Sequence, residues 1–329
     1  MSRFLFFASL LVLIVACAPT GEPNPGGTWS SIVAADASKP VKRHEAAFVK
    51  VGEKFVLLGG RGIRPVSIYD TQTQSWSEGA APPVEIHHFQ PVVLGEKVLI
   101  MGAFNGGYPD ETPLPVIYQY DLASDRWSIG DSIPADRRRG AAGVVVFQDK
   151  VYLVSGIQNG HMSGHVPWLD EYDPATDTWS QLPDAPRSRD HFQAIVMENQ
   201  MYLLGGRRSN APDSVFANPV GEVDVYDFAS QSWRTIAEPL PTLRAGNFVT
   251  SIGEEILVLG GESEFQELAH NEVEALHTQQ ETWRSLSPML QGRHGTGAVW
   301  HRGHLFVASG CGNRGGSQEL ETMEAYEPY

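Results

Sequence analysis

Cysteine is almost missing from this chain. Its 329 residues hold two, Cys17 and Cys311, so no disulfide framework can staple the fold and packing must hold it. Basic charge is also scarce: 24 Lys and Arg stand against 39 Asp and Glu, a net charge of −15. Duplex nucleic acid is excluded as a general partner, because phosphate binding needs a basic surface. Long apolar runs are lacking too. Residues 4–16 form an apolar stretch, but it falls short of the ~20 residues of a comfortable membrane span. The other apolar runs are four or five residues long and show no 3.6-residue period, which excludes core helices.

What the chain has is a repeat. Trp29, Trp76, Trp127, Trp179, Trp233 and Trp283 are separated by 47, 51, 52, 54 and 50 residues. The last five each follow Tyr69, Tyr120, Tyr172, Tyr226 or Leu276 by seven residues. Trp29 has no such partner before it, and Tyr326 has no Trp after it. Each unit also carries an apolar run ending in a small-residue doublet, such as Gly59-Gly60, Gly205-Gly206 or Ser309-Gly310. Four short strands per unit of about fifty residues predict radial repetition of small sheets, which leaves few exposed sheet edges.

Double glycine, Tyr and then Trp at fixed spacing resembles the kelch repeat over roughly residues 28–329. The resemblance implies an all-β fold, a six-bladed kelch β-propeller with four-stranded antiparallel blades. The unpaired Trp29 and Tyr326 imply that residues 28–33 close the last blade. The aromatics are expected to be core rather than a ligand cage. Blades with Ala103, Leu276, Ser155 or Ser309 at signature positions are expected to be looser or differently packed.

Residues 1–16 carry Arg3 and an apolar stretch and end just before Cys17. The run Ile14-Val15-Ala16-Cys17 resembles a bacterial lipobox, which implies a signal peptide over 1–16 and lipidation of Cys17. Residues 17–27 then read as a Pro/Gly-rich tether. Two or more acyl chains would hold the protein stably at the membrane. Ala18 in place of Asp favours the outer membrane by the same resemblance. Cys311 would be left as the single thiol and is expected to be structural.

The residues able to do chemistry cluster 10 to 15 positions after each Trp: Arg43-His44, His87-His88, Arg137 to Arg139, Arg189 to His191, Arg244 to Asn247 and Arg293-His294. Six-fold repetition predicts that they encircle one mouth of a central channel. In kelch proteins that bind peptides or acidic ligands, Arg residues before the innermost strand line such a pocket. That resemblance assigns binding to Arg139, Arg189, Arg244 and Arg293, with His44, His88, His191 and His294 beside them. The expected ligand is an anionic peptide or acidic carbohydrate, since guanidinium groups match carboxylates. The other reading is structural pairing with acids such as Asp136 or Asp190, or with loop carbonyls. Longer loops on the same face add Tyr108, His161, His165, Trp168, Arg207, Arg208 and Arg314.

Enzyme chemistry finds less support. His87-His88 and the His161–His165 pair lack a fixed helical spacing and a clear third ligand, so no metal and no cofactor are expected. The chain also resembles the six-bladed kelch mutarotases that interconvert sialic acid anomers, an alternative function. Their acid–base Glu would correspond to Glu262, but no Arg follows it within residues 263–275. The reading carried forward is an envelope-anchored, monomeric binding module.

Overall fold

A computed structural model describes residues 26–328. The expected lipidation of Cys17 and the signal segment lie outside the described residues. Six antiparallel four-stranded sheets follow one another around an axis. Blade 1 runs from its inner strand outward as Ala46–Val51, Lys54–Gly59, Ser67–Asp70 and Ser75–Glu78. Blades 2 to 5 begin at Val92–Leu94, Gly143–Phe147, Gln193–Met197 and Phe248–Ile252 and repeat the order.

Blade 6 is completed from the far end of the chain. Its inner strands are Ala298–His301, His304–Ala308 and Met323–Glu327, and its outer strand is Thr28–Ile32. Thr28 pairs with Glu327, and Trp29 faces Tyr326. The sequence offset of the aromatics is therefore the closure of the ring.

Period-two alternation puts the repeated Tyr and Trp opposite each other on the two outer strands of five blades, with Leu276 in the Tyr place of blade 5. Their ring centroids lie 5.1 Å apart at Tyr69–Trp76, 5.2 Å at Tyr120–Trp127 and 5.2 Å at Trp29–Tyr326, close enough for direct packing. In four blades the indole N–H then ties the blade to its predecessor. Trp127 donates to Ala80 O (2.9 Å), Trp233 to Pro183 O (2.8 Å), and Trp29 to Ser287 O of blade 5 (2.9 Å). The core lies between blades. Trp29, Leu257, Leu259, Val307 and Tyr326 form one cluster across blades 5 and 6, and Phe48, Phe55, Val299 and Met323 form another across blades 6 and 1.

The departures from the repeat do not loosen their blades. Leu276 is fully buried opposite Trp283. Ser309 takes the positive φ of the first doublet glycine, and its Oγ accepts a bond from Arg43 N (3.1 Å), joining blade 6 to blade 1. In blade 1 a side chain would not fit at the second doublet position, since a Cβ on Gly60 would sit 2.8 Å from His44 O.

Trp29→Ala should remove a buried indole and its bond to blade 5, lowering stability by about 3–5 kcal/mol. Urea unfolding of the variant beside the native chain measures this, with the midpoint moving to lower urea.

Candidate functional site

Between blades the chain enters each inner strand through three consecutive positions that face three different environments. The first positions are Arg43, Ile86, Arg139, Arg189, Arg244 and Arg293; the second are His44, His87, Gly140, Asp190, Ala245 and His294; the third are Glu45, His88, Ala141, His191, Gly246 and Gly295.

First-position arginines point into the blades, away from the channel. Arg139, Arg189, Arg244 and Arg293 are fully buried. Arg139 donates to Leu153 O (2.8 Å) and Ser155 O (2.7 Å) and pairs with Asp170 at 2.7 Å. Arg189 bonds Gly205 O and Glu222 O and pairs with Asp224 (2.7 Å). Arg244 pairs with Glu274 (2.6 Å) and Arg293 with Glu324 (2.5 Å). Burial pushes the Arg139 and Arg189 pKa values down to about 10, which still leaves them charged at neutral pH. These guanidinium groups are consumed in holding the strands of their blades together. The anion-binding ring expected of them does not form, and their acids are not Asp136 or Asp190. Spacing along the chain marked the right segment but could not tell which of three adjacent residues faces the axis.

Third-position residues make the throat. All six have positive φ, from 49° at Ala141 to 63° at Gly246 and Gly295. Their amides close a ring around the axis: His88 N donates to Glu45 O, Ala141 N to His88 O, His191 N to Ala141 O, Gly246 N to His191 O, Gly295 N to Gly246 O, and Ala46 N to Gly295 O, over 2.6–3.0 Å. Left-handed backbone is unfavourable for Glu and His, so it persists here because the ring imposes it. Glu45, His88 and His191 send polar side chains into a throat of about 50 Å3, while Ala141, Gly246 and Gly295 leave the space open.

Above the throat opens a mouth of about 780 Å3. Its wall combines His44, Arg61, Tyr108, His161, Arg207, Phe216, Glu262 and Arg314. Most of these come from the variable loops. In blades 2 to 6 the residue after the doublet pairs with the second position of the junction that enters the same blade, as in Arg207 with Asp190 and Glu262 with Ala245, and this brings it to the rim. Arg207 and Arg314 flank Phe216, with guanidinium carbons 4.9 and 5.4 Å from its ring centre. Trp168 lies instead under Arg137, 4.1 Å from the ring centre. His294 Nε2 lies 2.9 Å from Asn313 O, and His44 Nδ1 lies 2.7 Å from Glu319.

Two pairings matter for chemistry. Glu262 does have an arginine, from the neighbouring blade rather than the next loop: Arg207 Nη1 lies 2.6 Å from its carboxylate. Burial raises the Glu262 pKa, but His294, Arg207 and the Gly315 amide outweigh it and hold the value at about 2. The second concerns His161, which the hairpin Ile157–Asn159/Ser163–His165 carries over the throat. His161 N bonds Pro109 O, and Ala211 N bonds His161 O, so loops of three blades fix it. Its ring lies 4.9 Å from that of His88 and 4.6 Å from that of His191. The third imidazole that seemed absent from the sequence is supplied across blades. Cys311 is buried, its pKa pushed up by burial to about 12, which makes it unreactive.

The double-glycine doublets, the Tyr–Trp hairpins and the six closed blades define a kelch β-propeller. The chain matches the Attractin/LZTR1 beta-propeller family over residues 25–239 and belongs to it; residues 243–290 match the Kelch motif. It is 29% identical to Kelch-like protein terF of Aspergillus terreus, over 97% of this chain and 72% of that one. It is 23% identical to Kelch-like protein 23 of Pongo abelii and 24% identical to Kelch-like protein 36 of Mus musculus. It spans only 46% and 38% of those two relatives. The fold is similar to that in "Structure of YjhT", with a TM-score of 0.72, 14% identity, and coverage of 87% of this chain and 95% of the other.

The depressed Glu262 pKa links stability to acid. An unfolded Glu binds its proton near the ordinary 4.5, while the folded one does so near 2. The stabilisation is therefore complete above about pH 5 and lost as pH falls toward 2, on the order of 3 kcal/mol. Glu262→Gln should be less stable at pH 7 and flatter across that window in urea unfolding measured from pH 6 to pH 2.5.

Proposed function

We propose that the chain is a binding module whose ligand enters the mouth above the throat. The observation that carries this is the cavity of about 780 Å3, framed by variable loops on a rigid ring and lined by both aromatic and ionic side chains. The ligand is an acidic carbohydrate or a peptide segment bearing an isolated carboxylate. Support comes from the balance of the wall. Glu45, Asp213, Glu262 and Glu264 face the cavity along with Arg61, Arg207 and Arg314, so a polyanion would be repelled. Arg207 Nη2 makes no hydrogen bond within the described residues, and with Arg314 it flanks Phe216, leaving a place for one anionic group beside an apolar ring. Tyr108, 54% exposed, offers a stacking face at the rim.

A sugar mutarotase is the second reading, favoured by the Arg207–Glu262 pair at the cavity wall. Proton donation argues against it: at a pKa of about 2, Glu262 is an anion at neutral pH and cannot act as a general acid. The binding reading is therefore preferred.

We also propose that Cys17 anchors the module in a bacterial cell envelope, at the outer membrane, through residues 17–27 as a tether. Cys17→Ser should release the chain from the membrane fraction and remove the acyl mass by mass spectrometry. An unchanged distribution and mass would reject the anchor.

A screen of acidic glycans and carboxylate-bearing peptides against the full chain tests the mouth. Binders should weaken at least about 10-fold, roughly 1.4 kcal/mol, with Arg314→Ala or Tyr108→Ala. Both side chains are partly exposed, so thermal stability should hold. Binders indifferent to both changes would place the ligand elsewhere.

A further inference from the structure

Proton accounting around the throat leaves three imidazole lone pairs facing one another. His191 Nδ1 lies 2.5 Å from Asp190 Oδ1, and His161 Nδ1 lies 2.9 Å from Glu111 Oε2. A carboxylate only accepts, so each Nδ1 carries a proton, and in the neutral ring the Nε2 is then bare. His87 Nε2 donates to Gly106 O (3.0 Å), which makes His87 Nδ1 an acceptor. His88 Nδ1, 2.6 Å from it, must donate, so a neutral His88 is also bare at Nε2. That atom lies 2.6 Å from Glu45 Oε1, acceptor against acceptor. His88 Nε2 and His191 Nε2 are both buried without a hydrogen bond. A buried confrontation of this kind calls for a cation between or beside the groups.

The geometry points to a binding site for one divalent transition-metal ion of the zinc class, held by His88, His161 and His191 at the floor of the mouth. Their ligand atoms lie within 4.8 Å of one another. A tetrahedral ion with metal–nitrogen bonds of ~2.1 Å sets nitrogens about 3.4 Å apart, so each ring has to move by only about an ångström. Three imidazoles suit zinc, copper, iron or nickel rather than calcium or magnesium. The carboxylates of Glu111 and Asp190 on the far nitrogens are the partners that orient metal-bound histidines and raise their basicity. Glu45 stands beside His88 as a fourth donor. His161 lines the mouth while His88 and His191 line the throat, so the ion would be reached from the ligand cavity. The six-residue ring also explains the site: two of its ligands sit at positive φ, where the backbone is held regardless of the ion.

The test uses the full-length chain without an affinity tag, stripped with a chelator and titrated with Zn2+ by calorimetry and with Co2+ by visible absorption. One ion per chain is expected, with Zn2+ displacing Co2+. His161→Ala and His191→Ala should each weaken binding at least about 100-fold, and Glu111→Gln about 10- to 100-fold. His270→Ala, a buried histidine held by Ser263 and Glu272 away from the throat, should change nothing. Absence of stoichiometric binding, or binding that survives both histidine changes, overturns the site. Should those variants fail to fold, pulsed electron paramagnetic resonance of the Cu2+-loaded native chain decides it. Three coupled imidazoles support the site and fewer overturn it.

Discussion

Six backbone hydrogen bonds between successive blades, closed into a ring around the axis, constrain everything else in this molecule. The ring is only one residue per blade, so those residues must turn left-handed to reach one another. That turn separates the residue before last from the one at the axis and sends their side chains in different directions. It therefore decides which side chains see the throat, which see the rim and which are buried in the blade. The throat owes its polarity to Glu45, His88 and His191 and its open space to Ala141, Gly246 and Gly295.

Below the ring, buried charge serves as internal bracing. Each of Arg139, Arg189, Arg244 and Arg293 joins the carbonyls of its own blade to an acid on that blade's third strand. Blade 1 keeps the arginine but offers Ser67, and blade 2 has Ile86 instead, so the brace is not required in every blade. Buried pairs of this kind add little net stability over apolar packing, yet removal of one partner is expensive. Their value here is orientation: a guanidinium with several fixed acceptors sets the direction in which the chain leaves toward the axis.

The fold was legible because the aromatic signal is local and two-dimensional. Tyr and Trp seven residues apart must face each other across a hairpin, and Trp29 with Tyr326 had to be the split pair. The site was legible only as a set of segments. Arg189 and His191 are two residues apart, and nothing in their spacing says that one is clamped inside the blade while the other reaches the axis. His161 was visible as a loop residue, but its place beside His88 and His191 depends on a hairpin leaning across two neighbouring blades. The Arg207–Glu262 pair escaped for the same reason, since its partners are 55 residues apart.

The joining of Thr28–Ile32 to Met323–Glu327 also has a meaning in time. Five blades are built wholly from neighbouring segments and can form as the chain emerges from the ribosome. The sixth cannot, because its outer strand is among the first of the described residues to be made and its partner among the last. Bringing those strands together closes a loop of nearly all the described residues, the entropic step that local hairpins avoid. Until then the strand Thr28–Ile32 is an unpaired edge, and synthesis must reach Met323–Glu327 before the propeller has no open seam.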